Sequence, residues 1–221
     1  MTHGATGRRV SGQPLAIDLF CGLGGWAEGL LAESYGVVGF DIDRHEYGAH
    51  RYPAQLVLQD VLTLRGSQFR DAALIVASPP CQEYSYMAMP WTRAAAKAAA
   101  IRADETGQML ADLNRLFDAC FRIQREASAA SGYHIPMVVE NVRGAQPWVG
   151  RARWNFGSYY LWGDVPALMP DARGEGVKQH GSWFDTGLAA LPSASSRRKQ
   201  ASAMIAKIPL PLARHIGAVF R

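Results

Sequence analysis

Residues 15–25 read LAIDLFCGLGG, an apolar run that ends in three closely spaced glycines. The run has the length of a β-strand, and Trp26, Leu30 and Leu31 then recur at helical spacing. The segment therefore predicts a strand, a glycine turn and a helix. Glycines at such a turn let the backbone approach a ligand closely, and the first turn of the helix offers N–H groups to it.

Four more apolar runs follow the first one along the chain. They lie at residues 37–40, 56–58, 74–77 and 137–139. An apolar stripe at helical spacing predicts one long helix over residues 93–126, and a second stripe predicts a closing helix over residues 208–220. Strands that alternate with helices indicate an α/β fold with a largely parallel sheet. The functional residues of such a fold lie at the carboxyl ends of the strands.

The composition is that of a folded protein with one domain. Of its 221 residues, 48% are hydrophobic and 19% are charged, which excludes the class of disordered chains. The formal net charge of +4 and the sequence pI of about 9.1 are compatible with a polyanionic partner.

The cysteine count indicates a reducing compartment. Three cysteines, with no Cys/His spacing typical of zinc, predict neither a disulfide framework nor a metal site. No apolar run approaches the roughly 20 residues that a membrane-spanning helix needs. We therefore expect a cytoplasmic protein that does not span a membrane.

Two aspartates follow predicted strands and, like the glycines, indicate a nucleotide-like ligand. Asp41 could bind both hydroxyls of a ribose, and Asp60 could accept a hydrogen bond from an adenine amino group. The glycines do not match the dinucleotide pattern G-x-G-x-x-G, so their spacing alone indicates only a nucleotide-like cofactor. The alternatives that remain open are a plain tight turn for the glycines and ordinary turn or capping roles for the aspartates.

A cysteine and a carboxylate follow the fourth and fifth predicted strands. Cys81 comes directly after Pro79 and Pro80, whose rings would hold its thiol on a rigid loop. Glu140 ends the fifth run, at the same edge of the sheet. A nucleophile and an acid that converge there are suited to covalent catalysis. An inert, buried cysteine and a solvated glutamate are the alternatives.

Taken together, these motifs resemble those of the cytosine-5 DNA methyltransferases. They follow the order of that family's motifs over residues 15–155: the glycine motif at 18–25, Asp41, Asp60-Val61, Pro-Pro-Cys-Gln at 79–82, Glu-Asn-Val at 140–142 and Arg-Ala-Arg at 151–153. The resemblance implies the Rossmann-like fold of methyltransferases that use S-adenosylmethionine. It implies a small member, similar to phage or prophage enzymes, with a reduced target-recognition region.

The resemblance also implies a role for each motif residue. The residues expected to bind S-adenosylmethionine are Asp18, Phe20, Gly22, Gly24, Asp41, Ile42, Asp60, Val61 and Pro79. The catalytic residues would be Cys81, Glu140 and Arg153, and those expected to bind the substrate or support the site are Gln82, Ser85, Asn141 and Arg151. In this family the cysteine thiolate adds to carbon 6 of a cytosine that has been turned out of the duplex.

The partner and domain limits follow from the same resemblance. Double-stranded DNA would be the substrate, and residues 82–92 would form a loop that closes over it. Residues 14–150 would form the catalytic core, 151–205 the recognition region and 206–221 a closing helix that packs back on the core. The basic residues expected to contact phosphates are Arg173, Lys178, Arg197, Arg198, Lys199 and Lys207.

Three other functions remain open on the sequence alone. A branch that modifies tRNA resembles the DNA enzymes in the same motifs. A catalytically silent DNA-binding module could keep the fold, and a nucleotide-binding α/β enzyme could use Cys81 only for packing.

Overall fold

A seven-stranded β-sheet with helices against both faces forms the centre of the protein, whose computed structural model describes residues 12–85, 91–170, 191–192 and 195–221. The strands are β1 Leu15–Leu19, β2 Gly36–Asp41, β3 Gln55–Leu58, β4 Ala72–Ala77, β5 Met137–Asn141, β6 Trp154–Phe156 and β7 Tyr159–Gly163. The helices are α1 Gly25–Ala32, α2 Trp91–Ala103, α3 Gln108–Ser131, α4 Gln146–Val149, α5 Ser196–Ala206 and α6 Leu210–Val219. Short 3₁₀ turns cover Val61–Thr63, Gly66–Phe69 and Arg143–Ala145.

The strand order is β3-β2-β1-β4-β5-β7-β6. The first five of these strands are parallel to one another, whereas β7 runs antiparallel to β5, and β6 antiparallel to β7. The carboxyl ends of the five parallel strands therefore meet at one edge of the sheet. The predicted Rossmann-like α/β fold is confirmed.

Alternate residues of the strands supply two separate hydrophobic cores. Ile17 and Ile75 belong to the cluster that includes Ile123 of α3. Their neighbours Ala16 and Leu74 belong to the opposite cluster, which contains the buried faces of α1 and α6. Side chains alternate across a strand, so a continuous apolar run covers both faces of the sheet.

The predicted closing helix is α6, which packs closely on α1. A Cβ atom placed on Gly29 of α1 would lie 2.3 Å from the Cβ of Ala213, so only glycine permits this approach. The hydroxyl of Tyr35 donates a buried hydrogen bond of 3.1 Å to the carbonyl of Gly217. The C-terminal segment is thus tied to the helix that begins at the glycine turn.

The single long helix expected over residues 93–126 is wrong, because the chain forms α2 and α3 with a break between them. The break falls at residues 104–107, where Gly107 has a left-handed φ of 72°. The Asp104 carboxylate accepts hydrogen bonds from the backbone N–H groups of Thr106 (3.0 Å) and Met109 (2.7 Å). These bonds satisfy N–H groups at the start of α3 that the preceding turn leaves without partners.

Residues 151–205 contain more regular structure than their sequence indicates. Strands β6 and β7 extend the sheet, and α5 occupies residues 196–206. The division into catalytic core, recognition region and closing helix stays a prediction. Residues 86–90 of the expected DNA-closing loop, and the basic residues Arg173 and Lys178, lie outside the described residues.

Within the described ranges, no helix is long and apolar enough to span a membrane. The same ranges contain no group of three or more His, Cys, Asp or Glu side chains placed to hold a metal ion.

Candidate functional site

Most of the residues singled out from the sequence lie at the edge where the parallel strands end. The glycine turn follows β1, Asp41 ends β2, Cys81 follows β4, and Glu140 lies near the end of β5. Because β1 lies between β2 and β4, the glycine turn separates the expected cofactor carboxylate from the cysteine loop. A ligand at this edge would contact both the Asp41 side and the cysteine-loop side of the glycine turn.

The backbone of the glycine turn has positive φ angles, which residues with side chains rarely adopt. Gly22 has a φ of 50° and Gly24 a φ of 78°, and Phe20 also has a positive φ, of 57°. The turn is closed by a hydrogen bond of 2.8 Å from the N–H of Gly24 to the carbonyl of Cys21. A Cβ on Gly22 would meet no described atom within 4 Å, so the space beside this residue is open to a ligand.

The Asp41 carboxylate is directed at the glycine turn. It accepts hydrogen bonds from the backbone N–H groups of Gly22 (2.9 Å) and Asp43 (3.2 Å), and His45 Nε2 lies 3.6 Å from it. Burial acts to raise the pKa of Asp41, but His45 and these two N–H groups outweigh it and hold the pKa below its usual value. The site therefore presents an ionised carboxylate, the form that accepts hydrogen bonds from ribose hydroxyls.

Asp18 is a fully buried carboxyl group in β1. One of its oxygens accepts a hydrogen bond of 3.2 Å from the hydroxyl of Tyr52, while Oδ1 has no hydrogen-bond partner among the described residues. Burial raises its pKa well above the usual value; the Tyr52 hydrogen bond opposes this rise, and the charge of Asp41 adds to it. Burial of Asp18 therefore favours its protonated form, which can donate a hydrogen bond.

The loop that carries Cys81 is held by neighbouring backbone and side-chain groups. The buried Asn141 donates a hydrogen bond of 2.9 Å from Nδ2 to the carbonyl of Pro79. The carbonyl of Cys81 accepts hydrogen bonds from the N–H groups of Tyr84 (3.0 Å) and Ser85 (2.9 Å). Cys81 is partly exposed, whereas Cys21 and Cys120 are buried. Of the three thiols, this one is the most accessible to a substrate.

Glu140 lies on the strand next to the one that leads to Cys81. Strands β4 and β5 pair through Ala77 and Val139, so the segment after β4 continues beside Glu140. Only 6% of Glu140 is exposed. Burial raises the pKa of Tyr159, and the charge of Glu140 raises it further. The carboxyl group is thus enclosed, yet adjacent to the cysteine loop.

The remaining expected cofactor residues differ in exposure. Asp60 accepts a hydrogen bond of 2.9 Å from the N–H of Leu62 and so begins the turn Val61–Thr63. Val61 and Pro79 are buried, whereas 68% of Ile42 is exposed beside Asp41. Ile42 thus offers an apolar surface at the edge of the site.

The expected substrate residues fall into two groups. Gln82 is exposed and Ser85 half-buried, and both lie on the Cys81 loop. Arg151 and Arg153 are exposed and precede the edge strand β6. Leu161 of β7 pairs with Glu140 on one side, and its carbonyl accepts a hydrogen bond of 2.9 Å from the N–H of Arg153 on the other, so one strand separates Arg153 from Glu140.

Two tyrosines contribute to the site in ways that the sequence reasoning missed. Tyr52 bonds to Asp18 and packs over Gly39, and its place as one of two tyrosines in the polar loop before β3 was its only signal. Tyr84 was expected in the loop that closes over DNA, but it is buried and bonds to α3 through the carbonyl of Leu113 and the side chain of Asn114. Its part in the fold depends on a contact 30 residues away, which local sequence does not indicate.

Residues 15–117 match the family model described as C-5 cytosine-specific DNA methylase. The match covers slightly under half of the 221 residues and includes the glycine turn, Asp41 and Cys81. No curated protein matches the chain.

Several solved structures are similar to part of the chain. One is described as a DNA modification methyltransferase encoded within an E. coli prophage, with 23% identity and a TM-score of 0.39 over 60% of this chain and 33% of that one. S. pombe Dnmt2 methyltransferase has 16% identity and a TM-score of 0.37, covering 62% of this chain and 37% of that one. The Entamoeba histolytica methyltransferase EhMeth has 16% identity and a TM-score of 0.35, covering 62% and 41%. The chain thus spans between a third and about two fifths of the length of these proteins.

Proposed function

Since residues 15–117 carry a C-5 cytosine-specific DNA methylase domain, we propose that the protein transfers a methyl group from S-adenosylmethionine to carbon 5 of cytosine in DNA. One observation carries this proposal beyond the family match. A partly exposed cysteine is fixed by the bond between Asn141 and Pro79 beside the enclosed Glu140, at the same edge as the open glycine turn.

The residues at the glycine turn fit S-adenosylmethionine. The space beside Gly22 would admit the ligand, and the ionised Asp41 would accept hydrogen bonds from its ribose hydroxyls. Ile42 offers an apolar surface for the adenine ring, with Asp60 and Val61 at the adjoining turn. The buried Oδ1 of Asp18 provides a polar partner for the methionine part. When bound, S-adenosylmethionine supplies an electrophilic methyl group.

Cys81 would act as the nucleophile. Carbon 5 of cytosine is a weak nucleophile, and it becomes enamine-like when a thiolate forms a bond to carbon 6. Glu140 would donate a hydrogen bond or proton to the ring nitrogen, which takes up the electrons displaced from the double bond between carbons 5 and 6. After methylation, loss of the carbon 5 proton to a base restores the double bond and expels the thiolate.

The reacting base must leave the DNA helix to reach this site. Unstacking a base costs a few kcal/mol, which contacts around the extruded cytosine must offset. Gln82 and Ser85, on the Cys81 loop, would contact nucleotides near the target. Arg151 and Arg153 precede the edge strand β6, and Arg153 lies one strand beyond Glu140, where the two arginines would contact the base or a phosphate.

The test is to incubate the protein with S-adenosylmethionine and unmethylated duplex DNA and to measure methylated nucleosides by mass spectrometry. We expect 5-methyldeoxycytidine from the wild type and none from Cys81→Ser. Cys120→Ser is the matched control, because Cys120 is buried on the core face of α3 and its loss should leave the product unchanged. A duplex with 5-fluorocytosine should trap the wild type, but not Cys81→Ser, as a covalent adduct.

The alternative functions are outcomes of the same experiment. If the protein methylates tRNA but leaves DNA unmodified, its substrate is RNA, and the assignments of the site residues remain the same. DNA binding without methylation or adduct formation would favour a silent module. A protein that binds nucleotides but neither methylates nor is trapped would leave Cys81 with a packing role.

A further inference from the structure

The chain after Cys81 is anchored by a buried row of hydrogen bonds. The Tyr84 side chain is 4% exposed, and its hydroxyl lies 3.0 Å from Oδ1 of Asn114 and 3.1 Å from the carbonyl of Leu113 on α3. Asn114 in turn donates a hydrogen bond of 2.8 Å from Nδ2 to the carbonyl of Trp148 on α4. We call Tyr84, Asn114 and Trp148 the clamp.

The clamp connects the cysteine loop to the segment that carries Glu140. Helix α4 follows β5 after a single 3₁₀ turn, so Trp148 lies eight residues beyond Glu140 in the chain. Before the cysteine, Asn141 already bonds to the carbonyl of Pro79. The loop is therefore fixed to the Glu140 segment on both sides of Cys81, by Asn141 in front and by the clamp behind.

Asn114 is a buried asparagine inside α3, where it lowers the stability of the helix. Its hydrogen bonds within the clamp explain why an asparagine occupies this position. Asn114 is 7% exposed, and asparagine is a poor helix former that loses hydrogen bonds to water when buried. Both ends of its amide are used, since Oδ1 meets Tyr84 and Nδ2 meets Trp148. A leucine would fill the same space without linking the two segments.

Helix α2 is attached at the same place. Lys97 forms an ion pair with Glu83, and the guanidinium of Arg102 lies 5.5 Å from the centre of the Trp148 ring. The chain on both sides of residues 86–90 is thus anchored close to the clamp. Displacing Trp148 or Tyr84 would disturb both attachments.

We propose that Tyr84 and Asn114 are positioning residues that set the distance between Cys81 and Glu140. The inference rests on the proposed function, since it assigns these residues to the step in which the thiolate adds to carbon 6. Neither residue touches the base or the cofactor in this scheme. Their loss should therefore slow the covalent step while the affinity for S-adenosylmethionine stays the same.

The test compares Tyr84→Phe and Asn114→Leu with control variants that remove a similar buried hydrogen bond elsewhere in the fold. Tyr35→Phe removes a buried hydrogen bond from the turn after α1 to α6, and Gln124→Leu removes a buried amide from α3 that bonds to Ile135 and Asp164. The rate of adduct formation with 5-fluorocytosine DNA, the dissociation constant of S-adenosylmethionine and the melting temperature are measured for all variants.

We expect Tyr84→Phe and Asn114→Leu to slow adduct formation about tenfold, the factor that corresponds to one hydrogen bond. The double variant should be no slower than the slower single variant, because both changes break one connected row. The melting temperatures of the control variants should fall by a similar amount, but their rate of adduct formation should stay the same. Equal slowing in the controls, or strictly multiplicative effects in the double variant, would overturn the proposal.

A second measurement separates this inference from the proposed function. The alkylation rate of Cys81 by iodoacetamide, followed by peptide mass spectrometry, reports the position of the loop without any substrate. We expect a severalfold change in Tyr84→Phe and Asn114→Leu and none in Tyr35→Phe. If the wild type forms no adduct but the alkylation rates change as expected, the proposed function fails and the clamp stands. Unchanged alkylation in both clamp variants would refute the clamp. Should Tyr84→Phe fold poorly, Asn114→Leu carries the same test.

Discussion

Asp18 is a fully buried carboxyl group whose pKa is raised well above its usual value by burial. It is fully buried in the central strand β1, with one hydrogen bond from Tyr52 and the charge of Asp41 nearby. A charged carboxylate there would lack the solvation that water gives it, so burial favours the protonated form. The group is therefore suited to donating a hydrogen bond to a ligand at the glycine turn.

Asp18→Asn should change the pH dependence of stability. Because the folded pKa of Asp18 is raised, its stabilising effect is fully present below the unfolded pKa of about 3.9 and is lost as pH rises through the folded pKa. Within that window the wild type loses up to about 1.4 kcal/mol per pH unit on this account. Asparagine has no proton to lose and should be relatively more stable at higher pH.

Urea unfolding of both proteins from pH 4 to pH 8 checks this expectation. The difference in unfolding free energy should grow in favour of Asp18→Asn as pH rises. Asp71→Asn, at an exposed carboxyl, is the control and should show no such trend. Parallel profiles for the wild type and Asp18→Asn would mean that Asp18 is charged in the folded protein.

Strand β2 depends on a glycine that makes room for Tyr52. A Cβ on Gly39 would lie 2.4 Å from Cζ and 2.5 Å from the hydroxyl oxygen of Tyr52. Gly39→Ala should therefore displace the ring, break its bond to Asp18 and destabilise the protein by about 1–3 kcal/mol. Equilibrium unfolding in urea measures the loss.

The background Tyr52→Ala provides the control for this clash. Without the ring, the added methyl group has space, and alanine restricts the unfolded chain more than glycine does. Gly39→Ala should then cost nothing or add about 0.5 kcal/mol of stability. The same loss in both backgrounds would show that the strand itself rejects a side chain at this position.

The elements that the sequence predicts well are those with a strong local pattern. The five parallel strands and the closing helix follow apolar runs or stripes, and the structure has them within a few residues of the expected limits. Strands β6 and β7 are short and lack alternation, so their formation depends on pairing with β5. The break at Asp104 depends on side-chain capping within an otherwise helical composition.

The candidate site divides in the same way. Cys81, Glu140 and the glycine turn stand out because their residue types are tied to strand ends, and the fold brings those ends to one edge. Tyr52 and Tyr84 were not assigned their contacts, since each bonds to a residue 30 or more positions away. Tertiary contacts of this kind leave no periodic signal in the sequence.

At the scale of the whole molecule, the exposed cations of α5 are the candidates for phosphate contacts under the proposed function. Helix α5 exposes Arg197 and Lys199, while Arg198 between them donates a hydrogen bond of 2.6 Å to the carbonyl of Leu191. The charge of Lys199 acts on His45, which lies beside Asp41. Of these exposed cations, Lys199 therefore lies on the same side as the candidate site.

Replacing Arg197 and Lys199 with glutamine should weaken binding to every DNA sequence alike. Each phosphate contact contributes about 0.9 to the slope of log affinity against log salt concentration, so losing two contacts should reduce that slope by about 1.8. Fluorescence anisotropy with two unrelated duplexes between low and high salt measures both effects.

The matched control removes two positive charges from another part of the fold. Arg65 and Arg70 are exposed and lie before β4, so Arg70 is near the opposite edge of the sheet from Cys81. Their replacement with glutamine changes the net charge by the same amount but should leave the salt slope nearly intact. If both double variants flattened the slope equally, DNA would be responding to the net charge of the protein. A loss confined to Arg197 and Lys199 would instead mean that α5 contacts phosphates while the target base enters the site.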